Sequence, residues 1–277
     1  RALTARAETA AVPALLQLAG SDRPATQQAV FRALGQLADG HHAGALVKLL
    51  EDARDDATRT GVMGIFESLS DRLPTGQGLD TAPIVRGITK GDLGTRQALL
   101  QVCAFFASEP LRTALRAALQ DDAAPLRAAA ARALCDTQDP DLLPDLLTVA
   151  RETADANLRS SAIEGIVRLV TDDTTSLTTE QRTDALVAAN ALATRTGDKR
   201  RVLSGLGRVP NATTLKLAAL AAADASVRPE AEAARLAVAK QLGFRGPFIQ
   251  DWQVCGPFHQ PGVTGALAIF GDALGPE

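Results

Sequence analysis

The side chains able to do chemistry are few and scattered. His41-His42, just after Asp39, is the only histidine pair, and a metal site there would need further ligands converging from elsewhere in the chain. A polar loop, GHHAG, accounts for the pair without one. His259 stands in a Gly-rich tail beside neither a cysteine pair nor a nucleophile. Cys103, Cys135 and Cys255 are far apart, with no CxxC or CxxCH spacing. The first two fall at apolar positions of expected helices, where a free Cys behaves as a small hydrophobe. The acidic pairs Asp55-Asp56, Asp121-Asp122 and Asp172-Asp173 have the residue types of an acid/base couple. Each, however, falls at an expected helix turn, where Asp caps helix ends. The chain has no GxxxxGK(S/T) loop, no GxGxxG after a strand, no GxSxG and no HExxH. The expectation is therefore no catalytic, cofactor-binding or metal-ligating residue, no cofactor, and no enzyme activity in this chain.

Composition points the same way. Of 277 residues 46% are apolar, carried by Ala, Leu and Val, while aromatics make up 3%, with no Tyr and a single Trp. Small aliphatics suit closely stacked helices and are ample for a buried core. The net charge of −3 provides no basic field for a nucleic-acid backbone, and the scarcity of aromatics leaves no platform for stacking bases or sugars. No apolar run approaches the ~20 residues that span a bilayer, and the opening RALTARAETA lacks the apolar stretch of a signal peptide. Nucleic acid and membrane insertion are set aside as partners. Two local groups of cations stand out: Arg112, Arg116, Arg127 and Arg132, and then Arg195, Lys199, Arg200, Arg201 and Arg208. Arg112, Arg116, Arg127, Arg132, Lys199, Arg200 and Arg201 are candidates for docking an anionic partner. The competing reading is that they are solvated and paired with nearby Asp.

The elements that must position these residues repeat. From Gln27, Arg59, Arg96, Arg127, Arg159 and Lys199, the third residue onward is Val30, Val62, Leu99, Ala130, Ala162 and Val202. The seventh is Leu34, Phe66, Cys103, Leu134, Ile166 and Leu206; the tenth is Leu37, Leu69, Phe106, Leu169 and Val209, with Thr137 the exception. Steps of three and four residues make one helix face. The reference points lie 32, 37, 31, 32 and 40 residues apart, one helical hairpin per unit. Shorter partners lie between: 13–19, 44–50, 82–88, 111–119 and 141–150, several with an early Pro suited to a first helical turn. Pro144 sits deeper and is expected to kink or restart its helix. Further segments at 178–195 with 198–208, and at 211–222 with 227–242, complete about seven hairpins.

Single hairpins cannot bury their apolar faces, but stacked ones can. Residues 8–243 resemble the HEAT-repeat family, carried by a turn Asp and an early Arg in the second helix: Asp92 with Arg96, Asp122 with Arg127, and Asp155 with Arg159. The resemblance implies an all-α fold, a right-handed α-α superhelix of HEAT-like hairpins, in which these pairs form a structural ladder between neighbouring repeats.

Two domains are expected: a solenoid over 1–243 and, over 244–277, a linker and the truncated start of a β-domain. Helical periodicity stops after Leu242, and Gln250–Cys255 reads as a short strand ending at Gly256-Pro257. DWQVCGPF is similar to the opening of a β-sandwich module that follows HEAT arrays in large multidomain proteins of planctomycetes and verrucomicrobia. That likeness implies a fragment of a larger polypeptide and an extracytoplasmic location. The leading functional expectation is a non-enzymatic scaffold that binds a protein partner or positions neighbouring domains. One alternative is the helical module of a carbohydrate-active or oxidoreductase polypeptide whose catalytic domain is absent here. The other is a HEAT-like lyase or DNA glycosylase.

Overall fold

The computed structural model describes residues 10–21, 23–73 and 78–243. Its helices pair as α1 (Val12–Leu18) with α2 (Pro24–Leu37), α3 (Ala43–Glu51) with α4 (Asp56–Arg72), and α5 (Ala82–Lys90) with α6 (Leu93–Val102). They continue as α7 (Glu109–Leu119) with α8 (Ala124–Asp136), α9 (Leu143–Glu152) with α10 (Ala156–Thr171), α11 (Thr179–Leu192) with α12 (Thr196–Leu206), and α13 (Ala212–Ala221) with α14 (Arg228–Gln241). Short 3₁₀ turns, Gly40–His42 and Pro140–Leu142, lead into α3 and α9. Among the described residues there is no strand. The described residues form an all-α superhelical stack of hairpins, as the periodicity predicts.

Local chemistry sets the helix starts. Asp55 accepts from Thr58 N–H at 2.7 Å to open α4, Asp92 from Thr95 N–H at 2.8 Å to open α6, and Asp155 from Asn157 N–H at 2.8 Å to open α10. These bonds satisfy donors that a helix start otherwise leaves free. Thr178 and Asn211 form reciprocal capping boxes for α11 and α13. Pro144 lies in the first turn of α9, which begins only at Leu143. It restarts the helix after a 3₁₀ turn, where its missing N–H removes no bond.

The predicted stripe is the core. Val62, Leu99, Ala130, Ala162 and Val202 are fully buried, as are Leu34, Phe66, Leu134, Ile166 and Leu206. Two tenth-position residues reach the core differently: α6 ends at Val102 and α12 at Leu206, so Phe106 and Val209 are buried from the turns that follow. Thr137, the polar exception, is also fully buried, and its hydroxyl accepts from Asp139 N–H at 3.1 Å as the chain leaves α8. One continuous cluster runs from Val12 to Ala234, so each hairpin completes its core on its neighbours. Successive second helices pack on one another along the array and, at every joint but that between the second and third hairpins, more closely than successive first helices. The second helices are accordingly the inner row of the stack. At α2 against α4 the approach leaves no room for a side chain, since a Cβ on Gly61 would lie 2.2 Å from Phe31 Cδ2.

Candidate interaction surfaces

The ladder residues fold into a different device from the one the resemblance implies. The second-helix arginines mostly turn back within their own hairpin and donate to carbonyls at the end of the first helix. Arg59 donates to Ala53 O at 3.3 Å, Arg96 to Ile88 O at 2.6 Å, Arg127 to Asp121 O at 2.7 Å and Asp122 O at 2.8 Å, and Arg228 to Ala222 O at 3.1 Å. Arg159 donates to Ala150 O at 3.2 Å and also to Thr153 O. Gln27, in the position without an arginine, keeps the same role on Ala19 O at 3.2 Å and adds Thr58 Oγ1 of the next hairpin at 3.0 Å. The cause is general: the last carbonyls of a helix lack internal partners and carry its negative dipole end.

Of the three expected Asp–Arg pairs, only Arg96 crosses to the next hairpin, and its acid is Asp121, 2.6 Å away. Asp122 is exposed and makes no cap; Asp121 accepts from Ala123 N–H at 2.9 Å instead. Asp92 and Asp155 serve as helix caps, not as rungs.

Missed in the sequence is a second set of clasps at the opposite edge. Arg72 donates to Gly35 O, Gln36 O and Ala38 O at 2.8, 3.0 and 2.8 Å. Arg168 donates to Cys135 O at 2.8 Å and Thr137 O at 3.0 Å, and Gln241 to Gly207 O at 2.7 Å. Each closes the C-terminal end of the preceding hairpin's second helix. The signal available was a donor near the end of a second helix, and it does not name its partner.

The cations read as a candidate patch for an anionic partner do not stand free. Its charges lie on three helices, α7, α8 and α12, and most are already answered. Arg112 pairs with Glu109 at 2.9 Å, with Asp139 at 2.8 Å and with Asp141 at 2.9 Å; Arg116 pairs with Asp145 at 2.9 Å. Lys199 meets Asp224 at 2.8 Å, Arg200 meets Glu230 at 2.8 Å, and Arg201 lies 3.4 Å from both Glu164 and Asp198. Arg127 is held by turn carbonyls. Arg132 donates to Ala128 O of its own helix at 3.1 Å and, like Arg127, reaches no neighbouring hairpin. Pairing wins because acids of the same helix or of an adjacent hairpin fall beside these cations.

The remaining candidates are structural too. His42 Nδ1 lies 2.7 Å from Asp39 Oδ1 and the two close a capping box on the 3₁₀ turn. Among the described residues no group of His, Cys, Asp and Glu is placed to hold a metal. Cys103 and Cys135 are buried, and burial pushes each thiol up to about 12, far from a reactive thiolate. Asp172 accepts from Thr174 N–H at 2.8 Å in a turn. Cys255, His259 and the strand read at Gln250–Cys255 lie outside the described residues.

Grooves open on both rows. On the inner row, α6, α8 and α10 bound a groove of about 560 Å³ lined by Ala98, Gln101, Ala129, Arg132, Asp136 and Ser161. On the outer row a groove of about 640 Å³ opens between α7 and α9.

A family model described as HEAT repeats matches residues 82–173, which is α5 to α10 and the two residues beyond. The fold is a HEAT-like helical repeat solenoid. Among solved structures, the crystal structure of an engineered protein is similar over 83% of this chain and 96% of its own, at 15% identity and a TM-score of 0.35. No protein of curated function matches the chain. No described helix of this HEAT-like array is long and apolar enough to cross a membrane.

Proposed function

We propose that this HEAT-like array is a non-enzymatic scaffold that holds a protein partner, or a neighbouring domain, against the inner groove of α6, α8 and α10. The observation that carries the reading is a contrast in how polar side chains are used. At the turns between helices Asp55, Asp92 and Asp155 cap helices, and arginines such as Arg59, Arg72 and Arg112 close carbonyls or pair with acids, so these groups are committed to the stack. In the inner groove, Gln101, Arg132, Asp136 and Ser161 are exposed and are not bonded to another hairpin, above a floor of Ala98, Ala129 and Ala133. Small residues admit a partner's backbone, and uncommitted donors and acceptors of both signs suit polypeptide better than a polyanion. Paired arginines speak against nucleic acid, because counterion release requires cations free to meet phosphate.

Site-specific photo-crosslinking in the producing cells tests this. A crosslinker at Gln101 is expected to trap one protein species, or one segment of the same polypeptide, and Arg132→Glu should abolish that product. A crosslinker at Thr113, on the outer row, should not trap it. No product from the inner groove, or equal products from both rows, would refute the assignment.

A further inference from the structure

The outer row is not uniform. α3 packs on α5, α5 on α7, α9 on α11 and α11 on α13, whereas direct packing is sparse between α7 and α9, as it is between the seven-residue α1 and α3. On the inner side of that same joint α8 packs closely on α10. The outer groove occupies the gap, floored by Ala124, Ala128 and Ala131 of α8 and Leu158 of α10.

Charge spans what apolar contact does not. Toward the N-terminal ends, Arg112 anchors the turn before α9 through Asp139, which is only 3% exposed, and through Asp141. One helical turn further, Arg116 Nε donates to the Asp145 carboxylate at 3.1 and 3.2 Å, and Arg116 Nη2 to Asp145 Oδ2 at 2.9 Å. Beyond that pair Gln120, which follows the last residue of α7, and Glu152, at the end of α9, both line the groove and are not bonded to each other. The Arg112 anchor is shielded, while the Arg116 and Asp145 side chains are 43% and 23% exposed.

We propose that the joint between the fourth and fifth hairpins is a hinge of the array, with the α8/α10 contact and the Arg112 anchor as its pivot and the Arg116–Asp145 pair as its latch. A packed stack bends where one row can separate without uncovering apolar surface. At the outer joints from α3 to α7 and from α9 to α13 separation breaks direct helix packing. Here it exchanges a partly exposed ion pair for hydration, and such pairs stand near balance with water. Opening the latch widens the outer groove and changes the curvature of the inner row, so the hinge sets how the two halves of the array present their surfaces.

Pulsed electron paramagnetic resonance on the full chain, in a Cys255→Ser background that leaves the buried Cys103 and Cys135, reads this directly. An outer spin-label pair at Gln120→Cys and Glu152→Cys and an inner pair at Arg132→Cys and Ser161→Cys span the same joint. Arg116→Gln should lengthen and broaden the outer distance distribution by a few ångström and leave the inner one unchanged. The charge exchange Arg116→Asp with Asp145→Arg should restore the narrow distribution. Raising salt on the chain without a substitution at Arg116 should reproduce the broadening, because a partly exposed pair is screened, which keeps the test valid if a variant folds poorly. An outer distribution insensitive to both Arg116→Gln and salt would overturn the proposal. So would equal broadening of both pairs, which is loss of packing and not hinging.

Discussion

Asp92 shows what a single residue contributes and what sequence alone can say of it. Its carboxylate caps α6 and is held below the ordinary carboxylate range, first by the backbone N–H of Thr95. Asp92→Ala should lower stability by about 1 kcal/mol in urea unfolding, and Asp92→Asn by much less, because Asn also caps. Asp55 and Asp121 are depressed in the same way, by Thr58 N–H and by Ala123 N–H. A carboxylate whose folded pKa is depressed contributes fully above its unfolded pKa and loses that contribution as pH falls through the folded value. Thermal stability should therefore hold down to about pH 5 and fall below about pH 4, less steeply in Asp92→Asn, which cannot titrate. These caps were legible because donor and acceptor lie two or three residues apart. The arginine clasps were not: Arg72 closes carbonyls 34 to 37 residues away, a relation that exists only once second helices lie side by side with their ends in line. Arg72→Ala should cost about 1 kcal/mol, reduced from the value for a buried charged hydrogen bond by the residue's exposure. Amide exchange at the end of α2 should rise with it.

At the scale of the element, the period of the apolar residues decided nearly everything. The third and seventh positions after each reference point were read correctly as the buried face because helix geometry leaves no freedom in which side they take. Helix ends were less legible. Phe106 and Val209 keep the spacing of the stripe but follow the last helical turn, since a turn that packs back on the core buries a side chain as well as a helix does. The contacts between elements were not legible at all, and Gly61 is the clearest case. An exposed helical Gly→Ala change gains up to about 1 kcal/mol. Here the new Cβ would fall 2.2 Å from the Phe31 ring, and overpacking of that kind costs about 1–3 kcal/mol. Gly61→Ala should thus lower the midpoint of thermal unfolding, and Phe31→Leu in the same chain should recover part of the loss. The inner and outer grooves belong to this level too. They arise from spacing between hairpins, whereas the sequence offered only clusters of arginine and no means of seeing which acid each would meet.

At the scale of the whole molecule, the array is a chain of neighbours: one core, shared at every joint, with chemistry-bearing side chains spent on helix ends and on bridges between hairpins. The stability of such a stack depends on the coupling between adjacent repeats. Leu134, on α8, is fully buried, so Leu134→Asp forces an unpaired charge into that shared core. Hydrogen exchange followed by mass spectrometry on this variant and the parent chain is the most direct test. Protection should be lost first across α7 to α10 and then in the flanking hairpins as temperature rises, in one spreading transition. Loss confined to α8, with α6 and α10 as protected as in the parent chain, would contradict a core that neighbouring hairpins share.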